Sequence, residues 1–168
     1  METYAPYPSP MNTYDKHGYS FVYPENWQLD ESDLENGEGS ISLSAPGGEF
    51  WVLTIRPAGF DPMKLADDAL ETMVSEYRDI EYSPIRRDIA GYTLIGYEMN
   101  FFFLDLTSTA IVLTFADANR TFAIFWQCGD LLVITSEQEP FAYEDVFEAM
   151  TISLLQNLTK TTSEPQTK

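Results

Sequence analysis

The 168-residue chain holds a single histidine, His17, and a single cysteine, Cys128. A lone imidazole works as a general base only when a partner orients it, and the nearest acid before it is Asp15. The stretch Asp15-Lys16-His17-Gly18 reads as a tight turn that leaves both groups in water, so His17 is expected to be a turn residue. Cys128 ends an apolar run just before Gly129-Asp130, with no base beside it to favour a reactive thiolate. One histidine and one cysteine cannot supply a zinc site built from those ligands. The acidic stretch DESDLENGE, from Asp30 to Glu38, offers oxygen ligands for a hard cation. Leu34 nevertheless stands where the alternate spacing of an EF-hand loop needs a ligand. Phosphate cradles of the form G-x-x-x-x-G-K or G-x-G-x-x-G do not occur. Carboxylates are so many that no pair stands out for glycosidase chemistry. Trp27, Trp51 and Trp126 could stack on a sugar, but all lie at or within strand patterns, where packing is the simpler use. The expectation is no catalytic residue, no cofactor and no metal site.

The elements around these residues are easier to read. Tyr19, Phe21 and Tyr23 alternate with Ser20 and Val22, and Pro24 stops the ladder because it has no N–H to donate. Asp30 to Glu38 carries five acids, no base and a glycine, and reads as a solvated loop. A hairpin follows: Ile41, Leu43 and Ala45 alternate, Pro46-Gly47-Gly48 turns, and Trp51, Leu53 and Ile55 alternate back. Asp61 is a good N-cap with Pro62 at the first helical position. Leu65, Ala66, Ala69, Leu70, Met73 and Tyr77 then form one apolar stripe at helical spacing. From Glu81 to Ser136 the pattern is strand, divided at Gly91, Asp105, Asp117–Arg120 and Gly129-Asp130. A shorter helix is expected from Pro140 to Met150, with Val146, Phe147 and Met150 inward. Connections are read as short and local, with no parallel crossover required. The fold class is α+β, an antiparallel sheet of about six or more strands flanked by helices. Residues 1–12, with Pro6, Pro8 and Pro10, are expected to be an irregular arm, 13–156 a single domain and 157–168 a disordered tail.

Charge narrows the partners. With 27 acids against 9 bases the net charge is −18, which repels nucleic-acid backbones and anionic membranes. A basic protein partner is compatible with it. Apolar runs fall far short of the ~20 residues of a spanning helix, so no membrane insertion is expected. The first residues lack the basic start and apolar centre of a signal peptide, and the expected location is cytoplasmic. Oligomeric state is open: a monomer and a dimer burying a phenylalanine edge fit equally well.

The stretch "GYSFVYPENW" resembles the start of domains in the PsbP/DcrB superfamily, where a strand ends in proline and a tryptophan follows. The order of the rest is similar: a hairpin, the helix "DPMKLADDALETMVSEY", the strand pair "SPIRRDIAGYTLIGYEMNFFF", then "TAIVLTFADANRTFAIFWQ", "LLVITSE" and a closing helix "PFAYEDVFEAMTISL". The resemblance spans residues 14 to about 155. It implies an α/β/α sandwich and a role in binding proteins rather than in catalysis. Members include an extrinsic subunit of the oxygen-evolving complex, a nuclear factor acting on the Ran GTPase, envelope lipoproteins and cytoplasmic chaperones for secreted toxins. The leading expectation is therefore a non-enzymatic adaptor or chaperone-like module. Its partner-binding candidates are Asp30, Glu31, Asp33, Glu35, Glu38 and Phe102. The alternative is a small hydrophobic-ligand binder with a pocket lined by Phe101, Phe102, Phe103, Phe115, Phe122 and Phe125.

Overall fold

The computed structural model describes residues 10–34, 38–103, 105–129 and 142–163, with backbone alone at 103 and 160–163. Among these the strands are β1 (Met11–Lys16), β2 (Tyr19–Pro24), β3 (Gln28–Ser32), β4 (Gly39–Ser44) and β5 (Phe50–Pro57). Helix α1 (Pro62–Glu76) precedes β6 (Glu81–Ile89), β7 (Tyr92–Phe103), β8 (Leu106–Ala116) and β9 (Arg120–Gly129), and α2 (Tyr143–Ser163) comes last. The expected strand in "LLVITSE" lies outside the described residues.

A seven-stranded sheet in the order β3-β4-β5-β9-β8-β7-β6 forms the middle layer, and every neighbouring pair is antiparallel. Helix α1 covers one face, over β7, β8 and β9; α2 and the separate β1–β2 hairpin cover the other. The expectation of purely local connections is corrected here. After β5 the chain crosses β9, β8 and β7 through α1 to reach the far edge, then folds back strand by strand until β9 pairs with β5. Periodicity reports each element but not which strand it will lie beside, so this step was invisible in the sequence.

Local chemistry explains the elements. The Asp61 side chain accepts a hydrogen bond from the Met63 N–H at 3.0 Å, and Pro62 opens α1 where its missing donor costs nothing. Ala45 N–H donates to the Glu49 carbonyl at 2.8 Å and Gly48 N–H to the Ala45 carbonyl at 3.0 Å, closing the β4–β5 turn. Two other hairpins use two-residue turns with both φ positive, His17-Gly18 (58° and 87°) and Ala90-Gly91 (53° and 87°). That is the turn whose twist matches the flanking strands. The outer strand β6 carries Pro84 in its middle, a residue that blunts further pairing along an exposed edge.

Three boundaries differ from those expected. Met11 and Asn12 belong to β1, paired with Pro24 and Tyr23, because strand pairing needs only backbone and tolerates their polar surroundings. Asp30, Glu31 and Ser32 are strand rather than loop, since an edge strand faces water on its sides and needs no apolar alternation. Helix α2 begins at Tyr143 and runs to Ser163, so residues 157–163, expected to be disordered, are helical. Leu154, Leu155 and Leu158 continue the buried stripe of Val146, Phe147 and Met150 at helical spacing, which the Thr- and Lys-rich composition concealed. Residues 164–168 lie outside the description.

Candidate functional site

The acidic candidates do not form one surface. Glu31 pairs in register with Ile41, whose side chain packs under the hairpin, so Glu31 points toward that layer. Asp30, its neighbour, points to the opposite face of the sheet. Asp33 follows at the strand end with φ 60°, and Glu38 lies exposed just before β4. Glu35 is outside the described residues. Phe102, near the end of β7, is 71% exposed. It sits five strand steps from β3, roughly 24 Å away at about 4.8 Å per step, and at the opposite end of the sheet. Acids and phenylalanine therefore belong to separate surfaces.

Glu31 is instead a structural link. Its carboxylate accepts a hydrogen bond from the Tyr14 hydroxyl at 2.5 Å and lies 3.8 Å from Lys16 Nζ and 3.6 Å from His17 Nε2. The histidine's acidic neighbour is thus Glu31 of β3, not Asp15. The bond ties the hairpin to the sheet edge. Burial, then the bond to Glu31 and its charge, raise the Tyr14 phenol well above the usual tyrosine value, so it stays a donor. Sequence reading missed the link because 17 positions separate Tyr14 from Glu31, and only the hairpin's docking brings them together.

The other candidates are packing residues. Trp27, Trp51 and Trp126 are all buried, which leaves none of them free as a sugar platform. Trp51 Nε1 donates to Thr151 Oγ1 of α2 at 3.0 Å, and Trp27 packs edge-on against Phe147 with ring centroids 5.3 Å apart. Pro24 ends β2 and Trp27 then folds in beneath α2. Cys128 is 4% exposed and lines a small hollow of about 160 Å³ with Gly48, Phe50 and Gln127. Among the described residues, that lining holds Glu49 but no Lys, Arg or His to favour a thiolate.

The phenylalanine-lined pocket is corrected by the pleat. Phe101 and Phe125 belong to the α1 face, whereas Phe115 and Phe122 stack on each other at 4.8 Å on the hairpin face. Phe102 alternates with Phe101 and faces solvent. Two faces of one sheet cannot enclose a common ligand. Among the described residues, no group of three or more His, Cys, Asp or Glu converges as metal ligands, and no helix is long and apolar enough to cross a membrane.

A second place gathers polar chemistry. At the end of the sheet away from Phe102, a cleft of about 430 Å³ opens between the His17-Gly18 turn, the β8–β9 turn and α2. Asp117 Oδ1 accepts from the N–H groups of Asn119 and Arg120, both at 2.8 Å, which shapes the turn. Arg120 Nη1 donates to the Asn119 carbonyl at 3.1 Å. Burial raises the Tyr19 pKa, and the Arg120 cation offsets part of that rise.

With order, layers and register established, comparison is informative. The solution structure of cyanobacterial PsbP (CyanoP) from Synechocystis sp. PCC 6803 superposes with a TM-score of 0.51 at 16% identity, over 86% of this chain and 91% of that one. The chain has a PsbP-like fold. LpqN, involved in cell envelope biogenesis of Mycobacterium tuberculosis, matches at a TM-score of 0.42 and 11% identity over 88% of this chain and 82% of that one. No family model and no curated protein matches the sequence. At such identities the PsbP-like likeness concerns the fold, and function rests on this chain's own surfaces.

Proposed function

We propose that this chain is a non-enzymatic binding module that takes a basic, extended segment of a partner protein along β3, with the cytoplasm as its proposed location. The observation that carries this reading is the edge itself. Among the described residues β3 is outermost in the seven-stranded sheet, and Asp30, Asp33 and Glu38 stand exposed on and beside it. An outer strand offers main-chain groups to an added strand, which supplies affinity, while flanking side chains select the partner. The net charge of −18 steers a cationic segment toward this surface and repels nucleic acid.

A fluorescein-labelled peptide of alternating lysine and valine tests it by anisotropy. Binding is expected to weaken with added salt, and Asp30→Lys and Glu38→Lys should each lower affinity about two- to five-fold. No binding, binding indifferent to salt, or binding unchanged by both substitutions would overturn the reading.

A further inference from the structure

The corner where the β1–β2 turn meets β3 gathers more charge than docking a hairpin requires. Granted that β3 takes a basic segment, we propose that His17 regulates that edge by proton uptake, its protonated form weakening the segment's binding. The Glu31 carboxylate of β3 accepts from the Tyr14 hydroxyl at 2.5 Å, with Lys16 Nζ 3.8 Å and His17 Nε2 3.6 Å away. Lys16 alone already balances Glu31. A neutral imidazole therefore leaves the three side chains Lys16, His17 and Glu31 without net charge, and an imidazolium turns them net cationic. The His17 and Glu31 side chains are 34% and 29% exposed, so a proton reaches the ring without any opening of the fold. The turn itself does not call for histidine. Its first position, at φ 58°, is ordinarily filled by Asn, Asp or Gly.

The other ionisable groups around the ring come from three elements. Beside it on β1 are Lys16 and Asp15, the latter turned away from Glu31 by strand alternation. Tyr19 follows on β2, and Asp117 and Arg120, one of each sign, line the same cleft from the β8–β9 turn, while α2 brings the apolar Leu158. Carboxylates, phenols, ammonium and guanidinium groups ordinarily change charge outside the range of about pH 5.5–7.5, whereas imidazole changes within it. The chain has one histidine, so one side chain of that class sets the response. Its reach is short. A strand added outside β3 would run about 4.8 Å from it, which puts a facing lysine on the order of 9 Å from the imidazolium. That is close to one Debye length at physiological salt, where a single added charge changes affinity about two-fold. Linkage makes the effect reciprocal, so a bound basic segment drives the proton from His17.

The alternating lysine–valine peptide, N-acetylated and carrying a rhodamine whose emission does not follow pH, would be titrated by anisotropy at about pH 7.5 and about pH 5.5 at one ionic strength. In the unaltered chain the Kd is expected to rise about two-fold at the lower pH, and in His17→Asn, which suits the turn, to stay nearly level. The imidazole NMR signals of the sole histidine give a second readout: with saturating peptide they should titrate at lower pH than without it. An equal rise of Kd in both chains, no rise in either, tighter binding at the lower pH, or an imidazole titration unmoved by peptide would each overturn the role of His17 while leaving β3 as the binding edge. Absence of peptide binding at both pH values would overturn both. Should His17→Asn unfold, the imidazole titration in the unaltered chain decides alone.

Discussion

Against α1, the large sheet is packed through Ala66, Met73, Met99, Phe101, Ala110 and Val112, mostly small or flexible side chains. Against the hairpin and α2, it is packed through Trp51, Trp126, Phe122 and Phe147 together with Tyr14, Phe21 and Trp27. Polar ties follow the same division. Helix α1 is held to the sheet by Thr114, whose hydroxyl donates to the Pro62 carbonyl at 2.8 Å, and by Tyr97, which donates to Asp67 at 2.6 Å near the surface. Helix α2 is bound by the Trp51–Thr151 bond, the Arg87–Glu148 ion pair, and bonds from Asn157 to Ser20 and from Thr159 to Ala90. Buried aromatic area scales the stabilisation, so the hairpin face carries most of the fold and α1 is a lighter cover. Local opening should therefore begin at α1.

Trp51→Ala strikes the heavier face and should show the largest effect. Losing a buried indole and its bond to Thr151 costs about 3–5 kcal/mol, a large part of the roughly 5–15 kcal/mol total of a domain. Urea denaturation would read the loss. A cost no greater than that of a helix cap would break the comparison.

Alkaline titration gives a smaller, graded effect on the same face. Tyr14, Tyr19 and Tyr143 all have raised pKa values, each chiefly through burial. A phenol whose folded value lies above its unfolded one adds stability while both states hold the proton. That contribution is whole below about pH 10 and is lost as pH rises through the higher folded values. Melting temperature should fall steeply above pH 10, and Tyr14→Phe should flatten part of the fall. A melting temperature constant from pH 9 to 11 would contradict this.

Asp61→Ala should have the smallest effect. Removing the cap of α1 costs about 1 kcal/mol. Hydrogen exchange should quicken in α1 while α2 keeps its protection. Equal quickening in both helices would mean that the two faces open as one.

The elements legible in sequence were those whose signal is local. The Pro46-Gly47-Gly48 turn, the Asp61-Pro62 helix start and the Ala90-Gly91 turn each declare themselves within a few residues. What stayed hidden depends on distant partners. An edge strand such as β3 can carry adjacent acids, Asp30 and Glu31, because its neighbour supplies the pairing, and residues 157–163 are ordered by strands near the other end of the chain. The same reason hid the cleft. His17, Arg120 and Leu158 come from three distant stretches, and no spacing rule links them. Triple phenylalanine at 101–103 did announce an outward ring, because alternation forces one, and Phe102 is that ring.

The side chains of Ser153 and Asn157 reach the main chain of β2, at Val22 N–H and the Ser20 carbonyl, across 131 and 137 positions. They stand in for a third strand in a sheet that, among the described residues, has two, a size that is marginal by itself in water. During synthesis, then, these two strands emerge 131 and 137 positions ahead of the side chains that complete them. The N-terminal hairpin is made early and finished late.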